Sequence, residues 1–373
     1  MQLPIDIRAL LNEATNIKAA RDTNVSVSMY IDEAAPADLI AHVRSVFTSS
    51  SKSVRMTMSY LDRSFVPHEG DDFAIIVADG ASLVGPAATA LRAMGVPTMV
   101  VTTMPEILEG STGKVGHAIP EGDMVSPSVE LGEDCAKVVE PIALDDEAAQ
   151  SLNDRMGAWI VSVCHEKRLA MAIAFPFMRR PLAVDAVQAT SLQNAGIGLV
   201  PIIPGADLPI MTLNQAKMVL QIAAAYGQEM NKERAKELAA VVGSAYLCRV
   251  VARELVEFVP VLGFIIKPGV AYGGTSAVGY AAIDYFEGGK DMPGVMNVVT
   301  HATETGAKLA QTVRTMDAAS VSAAVIDKVK GLRKYTPVVQ SAVKEYGPKV
   351  VDLAKDVKAN VSAQASAVRA TAR

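Results

Sequence analysis

The chain has 373 residues, of which 50% are hydrophobic and 20% are charged, and its formal net charge at pH 7 is −5. This length predicts two or more domains, and the composition excludes an intrinsically disordered chain. Cys135, Cys164 and Cys248 are few and far apart, which argues against a disulfide framework and predicts a cytoplasmic protein. Association with the inner face of the membrane is the alternative location.

Residues 1–142 predict alternating strands and helices. Strands are expected at 25–31, 54–60, 73–78 and 97–103, and helices at 36–47 and 84–95. Strict alternation at 54–60 indicates an edge strand, whereas the apolar FAIIVA at 73–78 indicates a central parallel strand. After residue 105 we expect irregular connections with one further strand at 114–119. This order predicts a doubly wound, mainly parallel α/β sheet that is Rossmann-like or like a degenerate G domain.

The hydrophobic period becomes that of helices from residue 144 onward. Residues 144–168 begin with acidic and end with basic side chains, as the helix dipole favours. We therefore predict an α/β domain at 1–142, a large all-α domain at 143–290, and amphipathic basic helices at 291–373.

Acidic and polar residues follow the predicted strands. Asp32 and Glu33 follow the first strand, Asp79 follows the third, and Thr102 lies at the end of the fourth. Because the carboxyl ends of parallel strands meet at the crevice where open α/β sheets bind ligands, these residues are candidates for a ligand or divalent-metal site. The alternative is that Asp32 and Asp79 are turn residues and helix caps.

The segments VSMYIDE, FAIIVAD and VPTMVVTT, within residues 25–103, together resemble the response-regulator receiver domain. The resemblance implies that Asp79 is a phosphoacceptor and that a lysine follows the fifth strand, whereas Lys114 comes at the beginning of the predicted one. The order of elements also resembles a G domain. Phosphate binding by that route is not expected, since DEAAPADL after the first strand lacks the glycines and lysine of a P-loop.

Residues 254–286 form the most apolar stretch of the chain. A membrane-spanning helix needs about 20 mainly apolar residues, but Lys267 and Pro268 interrupt this stretch. Small residues spaced four apart line one helical face: Gly269, Gly273, Ala277 and Ala281. Such a face lets two helices approach closely. We expect it to pack in a protein helix bundle, and a hairpin that dips into a bilayer is the alternative.

Four motifs mark the helical region at 194–289: Asp-x-Pro, Asn-Gln-x-Lys-Met-Val, Glu-Arg-Ala-Lys-Glu and Gly-Gly-Thr. Together they resemble the bacterial YcjF-like domain, a helical domain of unknown function found in GTPase-associated and inner-membrane proteins. The resemblance implies association with a G domain, with a membrane or with copies of the same chain, and it supplies no catalytic residue.

The carboxyl-terminal segment from Asp327 to Arg373 carries ten basic and four acidic residues, a net charge of +6 that leaves −11 on the rest. Apolar residues recur there at helical spacing, which predicts an amphipathic helix. Its small Val and Ala side chains favour packing on protein over insertion into lipid. An anionic membrane surface is the alternative partner, and nucleic acid is not expected.

These patterns together predict a non-enzymatic scaffold or interaction protein whose helical bundle self-associates or packs on a partner protein. No G-x-S-x-G motif or metal-ligand spacing of histidines points to a reaction. Two alternatives stay open. One is a membrane-associated partner of a GTPase or transport system, and the other is an α/β domain that senses a ligand or divalent metal through Asp32 and Asp79.

Overall fold

The computed structural model of the protein describes residues 7–49, 51–80, 83–127, 141–199, 207–228 and 263–288. The helices are α1 (Ile7–Arg21), α2 (Ala37–Val46), α3 (Val84–Ala93), α4 (Pro105–Lys114), α5 (Asp146–Val163), α6 (Arg168–Ala174), α7 (Arg179–Leu199), α8 (Asp207–Ala225) and α9 (Gly263–Glu287). The strands are β1 (Val25–Ile31), β2 (Val54–Tyr60), β3 (Phe73–Val77), β4 (Thr98–Val101) and β5 (Met124–Val125).

The strands of the described residues form one parallel sheet in the order β2-β1-β3-β4-β5. β1 has β2 on one side and β3 on the other, which makes the β1–β3 junction the topological switch point of a doubly wound sheet. β3 and β4 are buried along their whole length, as uniformly apolar strands require. The predicted α/β class with a mainly parallel sheet is therefore confirmed for this part of the chain.

Helices cover both faces of the sheet. On one face, alternate side chains of β1, β3 and β4 share a core with α2, α5 and α6, in which Phe47, Phe73 and Phe175 are fully buried. On the other face, Ile76 of β3 packs with Leu91 of α3 and with α4. Each large apolar side chain buried in this way contributes about 1.5–3 kcal/mol.

Local residue chemistry sets where the helices of this part begin and end. α5 begins after Asp145, whose carboxylate accepts a hydrogen bond from the backbone N of Ala148 at 2.8 Å. Gly95 follows α3 with φ of +78°, a left-handed conformation that favours glycine. Trp159 of α5 is buried and its indole N–H donates to Asp123 at 3.0 Å, so its side chain is a core residue with a satisfied polar end.

The structure differs from the predicted elements between 105 and 125. Residues 114–119 do not form the expected strand, because α4 runs through Lys114 and a turn follows it. Pro105 stands in the first turn of α4, a position where its missing N–H costs nothing. The fifth strand is instead the short β5. α1 was also not predicted.

Contacts divide the chain into two compact units. One contains residues 12–185 and 221–230, and it holds the sheet with α2 to α6. Because α5 and α6 share the core of the sheet, this unit extends beyond the predicted boundary at residue 142. The other unit includes residues 186–220 and α9. The predicted amphipathic helices at 291–373 lie outside the described residues, as does much of the predicted all-α domain.

A polar network is buried inside the helical unit. Oγ1 of Thr275 accepts hydrogen bonds from Nδ2 of Asn194 at 3.0 Å and from Nε2 of Gln215 at 2.8 Å. Oδ1 of Asn194 in turn accepts from Nδ2 of Asn214 at 2.9 Å. Thr275 lies in α9, Asn194 in α7 and Gln215 in α8, so the bonds join three helices. Since buried polar groups are costly unless paired, this network favours one register of the three helices.

The apolar stretch at 254–286 is described only from residue 263 onward, where it forms α9. Among the described helices, α9 included, none combines the length and the apolar character that crossing a bilayer requires.

Candidate functional site

Asp79 and two threonines form a closed hydrogen-bonded group at the carboxyl ends of β3 and β4. Oδ1 of Asp79 accepts from Oγ1 of Thr102 at 2.5 Å and from the backbone N of Thr103 at 2.8 Å. Oδ2 of Asp79 accepts from Oγ1 of Thr103 at 2.5 Å. Both threonines are buried. The two carboxylate oxygens are thus bonded within the protein, and Asp79 ties the end of β3 to the end of β4.

Asp32 lies on the other side of the switch point, directly after β1. Its backbone N donates to the carbonyl of Val77 at 2.9 Å, and its buried carboxylate accepts from the backbone N of Ala34 at 3.1 Å. This is the bonding of a turn residue at a strand end. Glu33 is exposed. The structure therefore joins Asp79 to Thr102 directly, whereas Asp32 is tied to β3 through its backbone and Glu33 points its side chain into solvent.

Two further observations bear on the metal and phosphoacceptor hypotheses. In the described ranges, no group of three or more His, Cys, Asp and Glu side chains is placed to hold a metal ion. β5 ends at Val125, so Ser126 stands where the receiver resemblance implies a lysine, and Lys114 is instead the last residue of α4. The order of the strands and the position of Asp79 after β3 agree with that resemblance.

A second buried polar group is centred on the carboxylate of Asp71, on the face of the sheet that carries Ser28 of β1 and Arg55 of β2. The sequence patterns did not reveal it. Oδ2 of Asp71 accepts from Oγ of Ser28 at 2.5 Å, and Oδ1 accepts from Oγ of Ser26 at 2.7 Å. Arg55 of β2 donates to the same Oδ1 at 3.1 Å. The side chain of Asp71 is 0% exposed, while that of Arg55 is 44% exposed. Alternating polar residues on both strands were the available signal: Ser26 and Ser28 in β1, and Arg55 in β2.

The sequence predicts that Cys164 and His165 lie within a helix, but α5 ends at Val163. Both residues therefore lie outside it. Burial, with a smaller effect of the Asp72 carboxylate, raises the pKa of the Cys164 thiol from 9.0 to about 12. The ammonium of Lys167 lies 2.7 Å from Oδ1 of Asp72 and partly offsets that rise. A thiol held protonated in this way is a poor nucleophile at neutral pH.

The predicted packing face of α9 is described in part. Gly273 and Ala281 are buried, Ala277 is half-buried, and the surroundings of Gly269 lie outside the described residues. α9 lies close to α7 at Gly279, where an added Cβ would clash with Cγ2 of Val187. Spacing by four residues missed Gly279, because at about 100° per residue it lies about 160° around the helix from both Ala277 and Ala281, nearly opposite the predicted face.

Comparison with known proteins gives no relative: no protein family, curated protein or solved structure matches the chain.

Proposed function

We propose that this chain is a non-enzymatic interaction protein, in which an α/β part is joined to helices that self-associate or pack on a partner protein. The observation that carries the proposal is the closed bonding of Asp79 by Thr102 and Thr103. The ends of strands near a switch point are where a doubly wound sheet holds ligands. A metal or phosphoryl group at Asp79 would have to replace three hydrogen bonds. A protein that binds no ligand there keeps these bonds, which tie the end of β3 to the end of β4.

The helical part supports an interaction role through its packing chemistry. Gly279 allows α9 and α7 to approach closely, and the network around Thr275 favours a single register. Two large apolar side chains of this part stay exposed, Ile210 at 45% and Tyr280 at 42%. Tyr280 directly follows Gly279 in α9, and tyrosine is enriched where protein surfaces meet. A partner helix that docks on α9 would contact this side chain.

The purified full-length chain tests the proposal against the sensor alternative. Calorimetric titration with Mg²⁺ should give no saturable heat for the wild type or for Asp79→Asn. Asp62→Asn is the matched control, because Asp62 is a fully exposed carboxylate. Saturable heat that Asp79→Asn abolishes and Asp62→Asn retains would overturn the proposal in favour of a metal-sensing domain. Light scattering of the wild type should separately show an assembly of defined mass. Tyr280→Lys should give a smaller assembly.

A second candidate function is that of a membrane-associated partner of a GTPase or transport system, and the basic segment from Asp327 to Arg373 favours it. Its net charge of +6 on an otherwise acidic chain suits an anionic surface. Vesicles with and without phosphatidylserine distinguish the two candidates. Sedimentation with the anionic vesicles alone, lost at high salt and lost on replacing the basic residues by glutamine, supports the membrane role, and no sedimentation with either kind excludes it.

A further inference from the structure

The edge strand β2 leaves an apolar face uncovered. Val54 and Met56 are half-buried and pack against the core of the sheet. Met58 and Tyr60 point to the same side, because side chains alternate along a strand, yet they are 41% and 60% exposed. The apolar surface of β2 therefore continues beyond Val54 and Met56, past the part that the core of the sheet covers.

The outer edge of β2 also presents backbone groups. Ser53 accepts from the backbone N of Val25, and Leu61 donates its N–H to the carbonyl of Ile31. Odd-numbered residues of this strand thus turn their backbone groups toward β1. Since this direction alternates along a strand, Met56 and Met58 direct their N–H and C=O groups away from the sheet. Such an edge is a template for pairing with another strand.

We propose that β2 pairs with β2 of a second copy, antiparallel, across a two-fold axis at Thr57, so that the two sheets become continuous. In this register Met56 lies opposite Met58 and Val54 opposite Tyr60. Each Met56–Met58 pair brings two outward-directed residues together, which is the geometry in which opposite residues exchange two backbone hydrogen bonds. All seven residues of the strand take part, and the exposed apolar side chains meet on one face.

The charges at the two ends of β2 complement one another in the same register. Lys52 before the strand lies opposite Asp62 after it, once at each end of the paired strands. Both residues are exposed. Hydrogen bonds from Ser64 lower the pKa of Asp62 below its ordinary value, which favours the charged carboxylate. Arg55 lies opposite Ser59, and no like charges oppose each other. A shift of two residues places Lys52 against Tyr60 or Asp62 against Val54 and loses this match.

The pairing involves only the α/β part, so it goes beyond the helical association proposed above and does not depend on it. The experiment is disulfide trapping of the full chain with Cys135 and Cys248 replaced by serine. Cys164 stays, because its buried thiol with a pKa of about 12 is unreactive at pH 8. Thr57→Cys places two thiols at the axis, where opposite Cα atoms of a non-hydrogen-bonded pair lie about 4.5 Å apart, within disulfide range.

Ser59→Cys is the matched control, since Ser59 is exposed on the same face of β2. In the proposed register its two copies lie about 14 Å apart, at about 3.4 Å per residue, which is too far for a disulfide. Mild oxidation should give a covalent dimer with Thr57→Cys and none with Ser59→Cys. Equal trapping of both variants, or none of either, overturns the proposal, and no trapping of either is the result expected if another segment or another protein covers the edge.

A charge exchange tests the register without adding a thiol. Lys52→Glu and Asp62→Lys should each weaken the dimer several-fold in sedimentation equilibrium, and the double variant should restore it. Both positions are exposed, so neither change disturbs the core. An unchanged dimer in both single variants contradicts the register.

Discussion

A Cβ atom added to Gly279 of α9 would lie 2.4 Å from Cγ2 of Val187 in α7, closer than two carbon atoms pack. Gly279→Ala should therefore destabilise the helical part, because the added methyl group overpacks the contact at a cost of about 1–3 kcal/mol. Denaturant unfolding followed by circular dichroism measures this change.

Gly196→Ala in α7 is the control for the effect of helix propensity alone, since nothing lies within 4 Å of an added Cβ there. That variant should be neutral or more stable by about 0.5–1 kcal/mol. Adding Val187→Ala to Gly279→Ala should recover part of the loss. Equal effects of Gly279→Ala and Gly196→Ala would mean that the two helices do not meet at Gly279.

Thr275→Val should destabilise the same part for a different reason. The variant keeps the shape of the side chain but removes Oγ1, which leaves the amides of Asn194 and Gln215 without the acceptor at 3.0 and 2.8 Å. Losing these two buried hydrogen bonds costs about 1–3 kcal/mol. Thr275→Ser retains the oxygen and is expected to be milder. A Thr275→Val variant as stable as Thr275→Ser would show that the hydroxyl contributes nothing.

The stability of the α/β part should fall with rising pH above about 9 because of Cys164. Its pKa is 9.0 in an ordinary setting and about 12 in the folded chain, so the unfolded thiol ionises while the folded one stays protonated. Between these values the folded state loses about 1.4 kcal/mol per pH unit relative to the unfolded state. Cys164→Ala should flatten the dependence in urea unfolding at pH 8 to 11. An equal change of stability with pH in the wild type and in Cys164→Ala would show that Cys164 is not the cause.

Asp71→Ala should destabilise the sheet although the residue touches no predicted site. The change removes a buried carboxylate that accepts hydrogen bonds from Ser28, Ser26 and Arg55, a loss of about 2 kcal/mol. Glu69→Ala, an exposed acidic neighbour, is the control and should stay within about 0.5 kcal/mol of the wild type. Thermal unfolding of both variants measures whether the Asp71 carboxylate stabilises the fold.

The pattern of apolar residues predicted β1, β2, β3 and β4 within two residues of their observed bounds, because alternating and continuous apolar runs are local properties of the sequence. The helix α4 was not predicted, since its run of Gly, Ser, Thr and Gly at 110–113 has low helix propensity. Leu108 of α4 packs in a core of the sheet, a contact that the local pattern does not reveal. The short β5 was also not predicted, since two residues carry no period.

The amino-acid sequence by itself determined that a parallel α/β sheet stands in the first part of the chain and that Asp32, Asp79 and Thr102 come at its strand ends. Only the tertiary structure decided that Asp79 bonds to Thr102 and Thr103, and that Gly279 of α9 lies against Val187 of α7. The physical reason is range: strand and helix patterns arise from neighbours along the chain, whereas the partner of a carboxylate or of a glycine comes from a distant segment.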